Sequence, residues 1–174
     1  MPVLVADPLP IELERLIERR RALGTDRCDE IWEGVLHMNP APQLRHADLE
    51  MQLGALLRSP ARAAGLRTVA GFNLGTKDDY RTPDVGLVAE RQNALYLPTA
   101  ALVVEILSPG DDTWEKLPFY AAHDVDELLI IDPDAQTADW RALSDRAVYE
   151  PIERSNLISL DPGGLVAAID WPPA

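Results

Sequence analysis

The chain has 174 residues, 47% of them hydrophobic and 26% charged, with 16 lysines and arginines against 29 acids and a formal net charge of −13. That length and composition suit one domain with a sizeable core. The acidity, with a pI near 4.5, argues against a nonspecific duplex binder, because such surfaces gain affinity by replacing phosphate counterions with lysine and arginine. The lone cysteine, Cys28, excludes an internal disulfide. No basic region followed by an apolar stretch opens the chain, and the apolar runs are too short to cross a bilayer, so the expected location is the cytoplasm, with no membrane partner.

Met1 to Pro10 holds three prolines and is expected to form an extended arm. Ile11 to Leu23 places Ile11, Leu13, Leu16, Ile17 and Leu23 as an amphipathic helix, acids early and arginines late as the helix dipole favours, ending near Gly24. Cys28 to Met38 alternates as a strand or hairpin arm, with Ile31, Glu33 and Val35 on one side and Glu30, Trp32, Gly34 and Leu36 on the other. Asn39-Pro40-Ala41-Pro42 interrupts it. Gln43 to Ala64 reads as a second helix, with Leu49, Leu53, Leu56 and Leu57 at helical spacing, Gly65 as C-cap and His46 in the first turn. Arg67 to Thr76 reads as a strand, Lys77 to Tyr80 as a polar turn and Glu90 to Pro98 as a connection. Two arginine clusters, Arg15, Arg19, Arg20 and Arg21, then Arg58, Arg62 and Arg67, suit either solvated helix faces or a local basic surface.

The sharpest chemical signal lies in two apolar, β-branched runs, one starting at Pro83-Asp84 and one spanning Leu102 to Leu107. Each carries one acid, Asp84 or Glu105. Desolvating a carboxylate costs several kcal/mol unless it is paired, protonated or metal-bound, so acids in such settings need a reason. Ser108-Pro109-Gly110 breaks the second run, and Asp111-Asp112-Thr113 offers N-cap candidates for a helix bearing Lys116 and Tyr120 on one face. The ordinary alternative for Lys116 is an i,i+4 pair with Asp112. Glu127 to Asp132 reads as an apolar strand, Ala138 to Leu143 and Ala147 to Ile152 as a meander, and Ser155 to Ile169 as a last strand or short helix. The order of elements argues for a sheet flanked by helices. His37, His46 and His123 with Cys28 form no zinc signature, no phosphate-cradling glycine loop is present, and Ser108 has the simpler role of a cap.

Thr82-Pro83-Asp84-Val85, Val104 to Pro109, Asp112 with Lys116 and Tyr120, and Val125 to Pro133, preceded by Glu33-Gly34, Asn39 to Pro42 and His46, resemble the Uma-type family of restriction-endonuclease-like proteins. That family is a branch of the PD-(D/E)XK nuclease superfamily, and the resemblance covers roughly Asp29 to Pro133. It implies an α/β fold, a restriction-endonuclease-like mixed sheet flanked by helices in a single domain over residues 1–174. It also implies an endonuclease dependent on Mg²⁺ or Mn²⁺ that hydrolyses nucleic acid, DNA first, and works as a homodimer. Asp84, Glu105 and the backbone carbonyl of Ile106 would hold the metal. Glu33 or Glu30 would join them, a choice that alternation leaves open because the two fall on opposite faces. The usual Glu-x-Lys position is Leu107 here, so Lys116 is the candidate replacement, orienting a water or stabilising charge. His46 would touch a phosphate or assist the attacking water, and Tyr120 packs beside Lys116 or shares its work. The second reading is a binding or regulatory module that keeps the fold without efficient cleavage.

Overall fold

The computed structural model describes residues 10–89, 93–110 and 112–173. Nearly all of the expected N-terminal arm, the start of the Glu90 to Pro98 connection and the N-cap candidate Asp111 lie outside them. Four helices and eleven strands follow in chain order among the described residues. They are α1 (Ile11–Leu23), β1 (Glu30–Trp32), β2 (Val35–His37), α2 (Leu44–Ala63), β3 (Arg67–Ala70), β4 (Asn73–Thr76), β5 (Asp79–Arg81) and β6 (Val85–Val88). The rest are β7 (Tyr96–Leu97), β8 (Leu102–Ile106), α3 (Thr113–Ala122), β9 (Glu127–Asp132), β10 (Thr137–Leu143), β11 (Tyr149–Pro151) and α4 (Pro162–Ala168).

The strands form a six-stranded sheet ordered β11-β10-β9-β8-β6-β3 and a five-stranded sheet ordered β2-β1-β5-β4-β7. β8 and β9 pair in parallel at the centre of the first, and their apolar residues are buried on both faces, as a covered parallel pair requires. Side-chain alternation then divides the core. Val85, Leu87, Leu102, Val104 and Ile106 pack against Leu49, Leu53, Leu57 and Ala61 of α2. On the other face Val88, Val103 and Leu128 meet Phe119 and Tyr120 of α3. Glu105 shares the parity of Val103 and therefore points to α3, away from α2.

The structure departs from the sequence reading where turns are tighter than periodicity can show. Glu33 and Gly34 both take positive φ (49° and 84°), closing a two-residue hairpin between β1 and β2 and ending the supposed continuous alternation. Gly71 (φ 57°) splits the expected strand Arg67 to Thr76, sending β3 into the six-stranded sheet and β4 into the other. The polar turn is shorter than expected, since Asp79 and Tyr80 already belong to β5. The open choice at Ser155 to Ile169 resolves as helix α4, where the Asp161 side chain accepts from Gly164 N–H at 2.8 Å. The amphipathic α1 buries no residue. Arg20 holds its C-terminal end through Asp29 (2.5 Å) and the Asn39 carbonyl (3.1 Å). No helix among the described residues is long and apolar enough to cross a membrane.

Candidate active site

Asp84 stands immediately before β6, and Glu105 lies in β8. The antiparallel register Val85↔Val104 extends to place Asp84 opposite Glu105 and Pro83 opposite Ile106. The Ile106 N–H donates to Asp84 Oδ2 at 2.7 Å. Because a strand residue directs its N–H and C=O to the same edge, the Ile106 carbonyl emerges on the Asp84 side. Pro83 has no N–H to engage it there. Two carboxylates and a carbonyl thus share one strand edge.

From the α2 side, His46 Nε2 sits 2.8 Å from Asp84 Oδ1, and its Nδ1 sits 3.2 Å from Ser108 Oγ. Burial pulls the imidazole pKa down, but the hydrogen bond and charge of Asp84 outweigh it, and the net direction is upward. Glu50, one turn further along α2, is also pushed up, by partial burial and by the charge of Asp84.

From the α3 side, Lys116 Nζ lies 3.3 Å from each Glu105 oxygen and 3.1 Å from Glu30 Oε1, while the Tyr120 O–H donates to Glu105 Oε1. Burial opposes the ammonium charge, but Glu105 and Glu30 prevail and raise the Lys116 pKa. Glu105, only 4% exposed, is raised to about 7, first by burial and then by Asp84 and Glu30, with Lys116 pulling against them. Burial and the same two glutamates hold the Tyr120 phenol well above its usual value.

The structure brings together Asp84, Glu105, the Ile106 backbone, His46 and Lys116. Glu33 does not join them, and that expectation is corrected: it sits exposed in the hairpin turn, with its N–H on Asp79 (3.1 Å). Glu30 takes the inward position, 2% exposed, accepting from Thr82 N–H (2.8 Å) and Trp32 Nε1 (2.7 Å). The turn decides this, because the hairpin removes Glu33 from either strand face. Among the ion pairs of the described residues Lys116 engages Glu105 and Glu30, while Asp112 takes no part. Sequence reasoning missed Glu50, which helical spacing from His46 could have found, and Arg81. The Arg81 guanidinium is buried between the rings of Trp32 (4.3 Å) and Phe119 (4.0 Å) and donates to the Ile31 carbonyl (2.8 Å), anchoring the start of the Thr82-Pro83-Asp84 segment.

The donor set fits a hard divalent cation. Asp84 and Glu105, with the Ile106 carbonyl, present hard oxygen donors, while Lys116 and His46 hold the carboxylates from either side. Among the described residues no three His, Cys, Asp or Glu side chains stand close enough to hold an ion alone.

Fold and site together define a protein of the restriction-endonuclease-like class. The chain belongs to the Uma2 family, described as "Putative restriction endonuclease", which matches residues 13–166. The fold is similar to that in the crystal structure of a putative nuclease belonging to DUF820 from Anabaena variabilis, with a TM-score of 0.66 and 18% identity over 83% of this chain and 92% of that one. No curated protein matches the chain significantly.

Proposed function

We propose that the protein is a Mg²⁺- or Mn²⁺-dependent endonuclease that hydrolyses phosphodiester bonds in DNA. One observation carries this reading: Asp84 and Glu105 meet on adjacent strands, with the Lys116 ammonium held against Glu105 by a helix. Asp84, Glu105 and the Ile106 carbonyl would hold the metal, which supplies a water of lowered pKa and charge stabilisation at the phosphoryl oxygens. Lys116, fixed by Glu30 from its other side, orients the attacking water with its N–H donors. His46 carries a proton at Nε2 towards Asp84 and, as imidazolium, faces the incoming phosphate. Tyr120 fixes the Glu105 rotamer from behind. The proposal includes action in the cytoplasm as a homodimer, since cutting both strands of a duplex calls for two centres.

A calorimetric Mn²⁺ titration, followed by cleavage assays on single- and double-stranded DNA, tests this. Wild type is expected to bind and cut. Asp84→Asn is expected to lose both by at least about 100-fold, since loss of a ligand exceeds the 10- to 100-fold cost of an outer-shell partner. Absence of divalent-ion binding in the millimolar range would end the metal-nuclease reading. The net charge of −13 favours the second reading, a nuclease-fold binding or regulatory module. Metal binding without cleavage of any nucleic acid would support it.

The raised Glu105 pKa sets a pH dependence. Between the ordinary value of 4.5 and about 7 the folded chain keeps a proton that the unfolded chain has released. The stability from this group is therefore present below that window and lost as pH rises through it. Mn²⁺ affinity runs the other way, because the ligand must be ionised, and is expected to climb between pH 6 and 8. Calorimetry at both pH values checks this, and a flat affinity would rule out Glu105 as a titrating ligand.

A further inference from the structure

Along α2 beyond Glu50 lies a groove of about 450 Å³ between α2 and β3, lined by Gly54, Arg58, Arg62, Arg67, Thr68 and Ala70 among others. Its helix wall, Gly54, Arg58 and Arg62, continues an i±4n ridge that begins at His46 and Glu50 and lies alongside the buried ridge Leu49, Leu53, Leu57 and Ala61. The first member of that ridge touches Asp84, and the last two are arginines in the groove. The other wall is the edge strand of the six-stranded sheet, and its register leads to the same place. Ala70 pairs with Val85, next to Asp84, whereas Arg67 pairs with Val88 at the far end. The α2 ridge and the edge strand therefore both lead from the Asp84 edge to the arginines.

Charge decides what fits. In a chain with 29 acids, Arg58, Arg62 and Arg67 gather on one exposed face, and none is in an ion pair among the described residues. By contrast, Arg20 and Arg45 are tied to Asp29 and Asp134. From His46 to Arg58 and Arg62 the helix rises about 18 to 24 Å, the length of roughly five to seven nucleotides of a duplex strand. We propose that this groove is the track for a DNA strand entering or leaving the Asp84 edge, with Arg58, Arg62 and Arg67 contacting successive phosphates. The track rests on the nucleic-acid reading of the site. It accounts for how an acidic protein holds a polyanion: the arginines grip it several nucleotides from the carboxylates, where no metal is needed.

The test is DNA binding by fluorescence anisotropy in EDTA, across a salt series, using single- and double-stranded 12-mers. Wild type is compared with the triple variant Arg58→Gln/Arg62→Gln/Arg67→Gln and with a control, Arg15→Gln/Arg19→Gln/Arg21→Gln on α1. The triple variant is expected to lose about 100-fold or more in affinity at 50 mM salt, and its log–log salt slope should fall by about two to three, at 0.7 to 0.9 per phosphate contact. The control should match wild type, and thermal unfolding should show all three folded. Unchanged affinity and slope in the triple variant would overturn the track even if wild type cuts DNA. So would failure of wild type to bind either 12-mer at low salt, or capture of polyglutamate in place of DNA. Binding lost in the triple variant, with no cleavage by wild type in Mn²⁺, would support the track while ending the nuclease reading.

Discussion

Replacing Lys116 with methionine is expected to lower the unfolding free energy by about 3 to 5 kcal/mol at pH 8 and to abolish cleavage. The substitution keeps most of the aliphatic stem, so packing changes little. What goes is the one ammonium between Glu105 and Glu30, which are 4% and 2% exposed. Breaking a buried pair by removing one partner leaves an uncompensated charge, and that is where a cost of about 3 to 5 kcal/mol arises. The loss should shrink at pH 5. Glu105, already raised to about 7, is protonated there and no longer needs its counter-ion. A second substitution, Glu105→Gln on the Lys116→Met background, should recover part of the stability at pH 8 and none of the activity. Urea denaturation at the two pH values, with cleavage measured on the same samples, checks all of this. Equal stability of wild type and Lys116→Met at pH 8 would mean that the buried acids do not depend on the lysine.

Glu127→Ala is expected to cost about as much, roughly 3 to 5 kcal/mol, for a different reason. Glu127, at the start of β9, is 1% exposed and has no cationic partner among the ion pairs of the described residues. Its Oε2 accepts from Trp140 Nε1 (2.8 Å) and Ser155 Oγ–H (2.7 Å), and its Oε1 accepts from Asn156 N–H (2.6 Å). One carboxylate thereby fastens β9 to β10 and to the loop that leads into α4. Alanine strands three donors, two of them in buried hydrogen bonds, at about 1 to 3 kcal/mol each less what water recovers. Because Glu127 belongs to a different hydrogen-bond network, Mn²⁺ affinity in the surviving folded fraction should stay at the wild-type value. A drop in affinity without a drop in stability would reverse the assignment and make Glu127 part of the site.

Glu105 and Glu127 also show how far a linear reading reaches. Each is an acid in or beside an apolar run, and no local pattern tells them apart. One faces Lys116 and Asp84; the other faces an indole, a hydroxyl and an amide. The partners lie 11 residues away (Lys116) and 21 (Asp84) in one case and up to 29 in the other. Only the parallel pairing of β8 with β9, and the side of the sheet each helix covers, decides who meets whom. Ser108 and Tyr120 were legible as a cap and a packing residue, yet they reach His46 and Glu105 once α2 and α3 close on opposite faces of the sheet.

The sequence by itself determined the periodic and the local. Helices α1 and α2 follow from 3.6-residue spacing, and β8 and β9 from apolar runs too short for helices. The combination of Pro83-Asp84, Glu105 and Lys116 is legible as chemistry from the residues alone. Tertiary structure alone decided the choice of Glu30 over Glu33, because two positive-φ residues in a hairpin turn reset the alternation. It alone separated β3 from β4 at Gly71, buried Arg81 between two rings, and aligned Arg58, Arg62 and Arg67 along one groove. Periodicity assigns a residue to a face; which faces meet depends on long-range pairing and on turns one or two residues long, where a single φ redirects the chain.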